Sequence, residues 1–350
     1  MQTELDYIVV GLGLAGINFC EVLRKAGKSF VVYDKGENYS SWVSGGLYNP
    51  VILKRLTLSW NANEQMERAH FVYKEIEDRL GIQLDHKLRV HKKFQSVEDL
   101  NNWVVASDKP HLKPYLNPVI FSKPPDSVIA PFGMGQVLKT GKIDTAALLD
   151  GYTNYLNEQG KLVREEFSYD GLEIKSEGVQ YKDHFAGRIV FAEGFGLKKN
   201  PFFNSDKLKG NKGEVLVIEA PDLKIDFILK TDVFLIPIGN ERYTVGATYN
   251  WEDKTLDKTE EAKEKLLRAA EKLINCDYKV VEHRVGMRPT TADRRPLVGV
   301  HAEHPQLALL NGLGTRGIMI GPTVAQQLFD HLEQGAALPQ EININRFGRT

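Results

Sequence analysis

Gly11, Gly13 and Gly16 stand at G-x-G-x-x-G spacing, directly behind the apolar run of residues 7–10 and at the head of a helix-patterned stretch, residues 14–26. In that context each glycine has a separate task. One makes a tight turn, one lets the backbone approach a pyrophosphate, and one lets the helix lie close to the strand. The helix start adds free N–H groups and partial positive charge for phosphate. A second apolar run, residues 30–33, ends in Asp34, where a carboxylate can accept hydrogen bonds from ribose hydroxyls. The chemistry this constellation supports is dinucleotide binding.

Other reactive groupings are absent from the sequence. Cys20 and Cys276 form no C-x-x-C pair, and the nine histidines show no metal spacing, so no metal site is expected. No hydrolytic triad or carboxylate pair stands out. A formal net charge of −1 argues against a protein that grips nucleic acid through bulk electrostatics. A strand beginning within the first residues leaves no room for a signal peptide, and no run approaches the length of a membrane span. The expected location is cytoplasmic, away from membranes.

The elements that must position the glycine turn are spread along the chain. After Asp34, residues 35–50 form a loop rich in Ser and Gly, suited to wrapping a ligand. Residues 62–80 carry an apolar helix stripe, Met66, Ala69, Tyr73, Ile76 and Leu80. A short strand at 88–91 and a helix at 97–106 follow, and the five prolines of 109–125 predict an irregular connection. Asp144 is a fitting N-cap for a helix over 145–158. Strands are expected at 162–167, 188–192 and 307–310, with a hairpin at 172–181 and a closing helix at 323–333 opened by Pro322. Between 213 and 249 the pattern changes to successive antiparallel strands. A helix at 259–274 and a strand at 278–285 complete that part.

The fold class is therefore mixed α/β. A Rossmann-like dinucleotide-binding domain is expected from 1–80, 140–200 and 285–350, discontinuous in sequence. An antiparallel-sheet substrate domain is expected from 81–139 and 201–284.

Three stretches together resemble the D-amino-acid-oxidase-like superfamily of FAD enzymes, which includes glycine oxidase and sarcosine oxidase. They are the amino-terminal glycine motif with Asp34 and the 40–46 loop, the segment VGMRPTTADRRPLVG at 285–299, and GLGTRGI at 312–318. Within that superfamily the chain is most similar to the oxidase domain of the bifunctional tRNA 5-methylaminomethyl-uridine modification enzyme. Residues 313–317, 292–294 and 246–249 carry that likeness.

The resemblance implies FAD, bound without a covalent link because no cysteine lies near residue 318. It implies that Gly11, Gly13, Leu14, Ala15 and Gly16 hold the pyrophosphate, and that Asp34 and Lys35 face the adenosine ribose. Ser41, Gly46 and Leu47 would lie along the pyrophosphate or flavin, Phe167 beside the adenine, and Ala192 and Gly194 near the phosphates. Gly314, Arg316, Gly317 and Ile318 would meet the isoalloxazine, where the last helix's dipole favours the charge of a reduced flavin. Arg288 would pair with a substrate carboxylate through its planar fork, with Tyr249 walling the pocket. The implied activity is oxidation of a C–N bond in a small amino acid or secondary amine by hydride transfer to flavin, followed by hydrolysis of the imine. Two alternatives stay open: a tRNA wobble-uridine carboxymethylaminomethyl oxidase, and a non-catalytic flavin-binding protein.

Overall fold

Unbroken apolar runs build the centre of the first sheet. In the computed structural model, which describes residues 3–37, 40–203 and 206–347, strand Thr3–Val10 lies between Phe30–Tyr33 and His184–Phe191. All three are parallel. Tyr7, Ile8, Val9 and Val10 are buried, as a parallel strand covered on both faces requires. Leu307–Asn311 joins the second half of His184–Phe191 in parallel, and the hairpin Leu172–Lys175/Gly178–Tyr181 joins its first half. Helices Leu14–Lys25, Ala62–Leu80, Thr145–Glu158 and Gly317–Gln334 share one core on this sheet. Asp144 caps its helix as expected, accepting from the Ala147 N–H at 3.1 Å. Buried Glu21 ties three of these helices together. It accepts from Tyr152 Oη at 2.7 Å and from the Arg79 guanidinium.

The second sheet also has eight strands, in the order Lys279–Arg288, Asn211–Glu219, Arg242–Gly246, Phe234–Gly239, Ile228–Lys230, Val90–Lys93, Met134–Val137 and Leu116–Phe121. Its neighbours are antiparallel except Ile228–Lys230 beside Val90–Lys93. Helix Glu260–Glu271 covers it by packing Leu266 and Ala270 against Leu216 and Ile218.

Several expectations need correction. Residues 109–125 are not wholly irregular, because Leu116–Phe121 forms an edge strand. Pro118 sits where the register shifts between Leu116 and Ile120, and an edge strand tolerates a residue that cannot donate to the ladder. The strand expected over 162–167 stops at Val163. The strand expected over 278–285 runs on to Arg288, so a domain boundary at 284/285 falls inside a strand of the second sheet. The closing helix begins at Gly317, and Pro322 lies inside it. Near a helix start the missing proline N–H costs one bond at most. Gly321 lets that turn pack tightly, for a Cβ there would come 2.8 Å from Asn18 Nδ2.

One buried group makes this fold sensitive to acid. His91 is 1% exposed and stacks on Phe227 at 4.5 Å, and neither ring nitrogen has a partner among the described residues. Burial lowers its pKa from 6.5 to about 4. As pH falls through that window, the unfolded chain takes up a proton that the folded chain refuses, so stability is lost. The loss by pH 4 is about 3 kcal/mol. Denaturant unfolding at pH 7 and pH 4 checks this: the acid-induced loss in His91→Leu is smaller by that amount. An equal loss in both proteins would contradict it.

Candidate active site

Where the two sheets face each other they enclose a cavity of about 820 Å³, lined by residues from both. On the first sheet, the chain leaves Val10 at Gly11, whose φ of +97° is open to glycine. Asp34 locks this turn. Its Oδ2 accepts from the Leu12 N–H at 2.6 Å and its Oδ1 from the Gly36 N–H at 2.7 Å. Gly16 does not reach the cavity. It lies behind the turn, where a Cβ would stand 2.0 Å from the Gly11 carbonyl oxygen. Its part is helix–strand packing.

All the other residues expected at the site line this one cavity: Gly11, Gly13, Leu14, Ala15, Asp34, Lys35, Ser41, Gly46, Leu47, Phe167, Ala192, Gly194, Tyr249, Arg288, Gly314, Arg316, Gly317 and Ile318. Asn38 and Tyr39 of the expected ligand loop lie outside the described residues. Phe167 reaches the cavity from beyond the strand end and stacks on Tyr181 at 4.1 Å. Neither cysteine is among the lining residues. The described residues contain no group of His, Cys, Asp or Glu able to hold a metal.

The lining suits a large, doubly anionic cofactor. Helices Leu14–Lys25 and Gly317–Gln334 both start at the cavity. Neither has a side-chain N-cap bond or an acidic residue in its first turn. Two uncapped helix starts leave N–H donors and positive dipole ends facing the same space. A Cβ at Gly194 would meet nothing within 4 Å, and one at Gly13 would have only Ser41 Oγ, at 3.9 Å. The backbone is thus bare where a pyrophosphate would lie. The early start of the last helix puts the N–H groups of Gly317 and Ile318 at the cavity, nearer than a helix from 323 would allow.

The second sheet contributes Arg288, at the end of strand Lys279–Arg288. Its guanidinium lies across Gly213, where a Cβ would come 2.2 Å from Nη2. Nη1 donates to Asn211 Oδ1 at 2.9 Å and to the Thr248 carbonyl at 3.3 Å, and the group covers the Tyr249 ring at 4.6 Å. Arg316 donates to the Asn49 carbonyl at 3.0 Å. Burial pulls both arginines below the usual guanidinium pKa, yet arginine keeps its charge. Among the described residues no carboxylate forms an ion pair with either.

The turn bearing Tyr249 is pinned from the opposite face. Buried Lys212 donates to Asp253 Oδ2 at 2.5 Å, and the backbones of Lys212 and Asn250 exchange two bonds of 2.9 Å. Three contributors escaped sequence reading. Glu193, half-buried and with its pKa raised by desolvation, accepts from Tyr169 and from Asn200 Nδ2. Asn49 holds Arg316, and Lys230 enters the cavity from the second sheet. Only Glu193 had a local signal, its place just past a buried strand.

A largely parallel sheet with a glycine turn, facing a largely antiparallel sheet across one cavity, is an architecture suited to a dinucleotide cofactor beside a substrate chamber. The chain belongs to the DAO family of FAD dependent oxidoreductases, which it matches over residues 6–331. Glycine oxidase of Bacillus licheniformis is 23% identical over 358 residues, covering 94% of this chain and 93% of that protein. The tRNA 5-methylaminomethyl-2-thiouridine biosynthesis bifunctional protein of Marinobacter nauticus is 26% identical over 168 residues, 43% of this chain and 27% of that protein. The chain thus spans about a quarter of the length of the bifunctional proteins it matches. Among solved structures, glycine oxidase from Geobacillus kaustophilus superposes with a TM-score of 0.76 at 18% identity, covering 100% of this chain and 99% of that one. Iminodiacetate oxidase from a Chelativorans species gives 0.77 at 15%, covering 96% and 97%. At such identities the superpositions establish the fold. No helix among the described residues is long and apolar enough to cross a membrane.

Proposed function

We propose that the chain oxidises the C–N bond of a small amino acid or N-substituted glycine, with Arg288 holding the substrate carboxylate. The observation that carries this reading is a half-buried guanidinium in the cavity wall whose hydrogen-bond and ring partners among the described residues are all neutral, an amide, a carbonyl and a ring. Leaving a buried charge uncompensated is costly, and a carboxylate matches the planar fork of arginine. FAD, when bound, supplies the hydride acceptor, and the resulting imine hydrolyses in water. Asn211 and Tyr249 fix the guanidinium plane, Arg316 adds a second positive group, and Val215, Phe234 and Ile236 keep the chamber dry. Such a reaction depends on alignment more than on a protein acid or base.

The test is an anaerobic titration of the FAD-loaded protein with glycine, sarcosine, D-amino acids and proline, followed by visible absorbance. Bleaching of the oxidised flavin band by one of them supports the reading, and no bleaching by any carboxylate-bearing amine rejects it. A second reading is oxidation of a carboxymethylamino group on a tRNA base. It is favoured by the names of the bifunctional relatives and by exposed Tyr249 and Trp251, which are 56% and 42% accessible. Bleaching by undermodified tRNA alone would select it.

A further inference from the structure

The second sheet presents another cation to the same cavity. Lys230 ends strand Ile228–Lys230 and lines the chamber beside Phe234, its ammonium 4.4 Å from that ring's centroid. Among the described residues it donates to the carbonyl of the adjoining Thr231. Its neighbour across the strands, Lys92, is neutralised by Asp99. Among the described residues Lys230 has no such ion pair. Burial lowers its pKa to about 8, helped by the like charge of Lys92 and only partly opposed by Asp232, which forms no ion pair with it.

Register gives its distance from the arginine. Lys230, Phe234, Gly246 and Val215 stand side by side on neighbouring strands, so about 14 Å separates the Cα atoms of Lys230 and Val215. Gly213, under the Arg288 guanidinium, is two residues from Val215 on the same strand. With the lysine head held beside Phe234 and Thr231, the two positive heads lie on the order of 10–15 Å apart. Between them the wall is mostly apolar, formed by Val215, Phe234 and Ile236 with Thr244 beside them.

We propose that Lys230 is a specificity residue that binds a second anionic group, and that the substrate is an extended carboxylate-bearing amine ending in a carboxylate or phosphate. This inference rests on the reading of Arg288 given above. A short dianion cannot touch both heads at this spacing, so the second charge must sit at the far end of a chain or ring.

The test uses the FAD-loaded protein and unreactive acids, read as perturbation of the flavin absorbance. Straight-chain dicarboxylates from succinate to sebacate are compared with monocarboxylates and ω-phosphonocarboxylates of matched length. In the wild type, the long doubly charged acids should bind about tenfold more tightly than their monocarboxylate counterparts, and succinate should show no such advantage. In Lys230→Met the ratio should fall towards one, and Lys230→Arg should restore it. The proposal is overturned if wild type shows no advantage for long dianions, or if Lys230→Met leaves the ratio unmoved. A larger ratio for phosphonates assigns a phosphate end to the substrate, and a larger ratio for dicarboxylates a carboxylate end. Monocarboxylate binding in Arg288→Met separates the two levels. Affinity equal to wild type there rejects the function on which the inference rests. A loss there, without any dianion advantage in wild type, rejects the inference alone.

Discussion

Arg288→Met should lower kcat/KM for the carboxylate-bearing amine by roughly 10²- to 10⁴-fold, the equivalent of removing one partner from a buried charge pair, about 3–5 kcal/mol. The reason is local. The guanidinium is half-buried, its partners Asn211, Thr248 and Tyr249 are neutral, and in the proposed function the ligand supplies the opposite charge. Arg288→Lys should recover a minor part, because an ammonium restores charge without the fork. Gly213→Ala offers an independent route to the same loss, since its methyl group would occupy the place where the guanidinium rests. Single-turnover bleaching under anaerobic conditions is the appropriate measurement, with the flavin-to-protein ratio recorded for each variant. A Met variant that reduces its flavin as efficiently as wild type would remove Arg288 from the site.

The second large effect belongs to Gly16→Ala. A Cβ at this position would stand 2.0 Å from the Gly11 carbonyl oxygen and 3.0 Å from its carbon. Both are backbone atoms that no rotamer change can move. The helix must therefore back away from the turn, at about 3 kcal/mol, the upper part of the usual range for overpacking. If that loss falls on the cofactor turn, FAD binds about 100-fold more weakly. Gly194→Ala is the useful contrast. Its Cβ would meet nothing within 4 Å, but its φ of +57° is unfavourable for alanine, so about 1–2 kcal/mol is expected. Titration of the deflavinated proteins with FAD, followed by flavin fluorescence, ranks the two. Wild-type affinity in Gly16→Ala would show that the turn does not depend on close helix packing.

How much of this was legible in the sequence depended on how local each signal was. The glycine turn, Asp34 and the strands around them are written in contiguous residues, and so is the Asp144 cap. The edge strand Leu116–Phe121 was hidden because Pro118 reads as a breaker, and only its place at the sheet margin makes it acceptable. Pro322 misled for a similar reason: it opens no helix, because Gly317 to Gly321 already turn against Asn18 and Leu313. The partners of Arg316 and Arg288 were beyond reach. Asn49 and Asn211 are far away in sequence, and neither carries a mark of its purpose. Lys230 looked like any lysine at the end of a strand, and its importance arises from what the sheet places beside it.

The short helix Ser40–Val43 follows the cofactor turn, yet it rests on the second sheet. Ser40 Oγ donates to the Met287 carbonyl, and Val43 packs on Gly286 so closely that a Cβ there would come within 3.3 Å. Arg288 is the next residue of that strand. One segment thus touches both ends of the chamber, and anything that steadies it at one end steadies the other. If Arg288 holds a carboxylate as proposed, the two ligands would be thermodynamically linked through this segment, and linkage is reciprocal: the factor by which cofactor tightened the hold on carboxylate would be the factor by which carboxylate tightened the hold on cofactor. In such a protein the flavin would be held most tightly while substrate is bound.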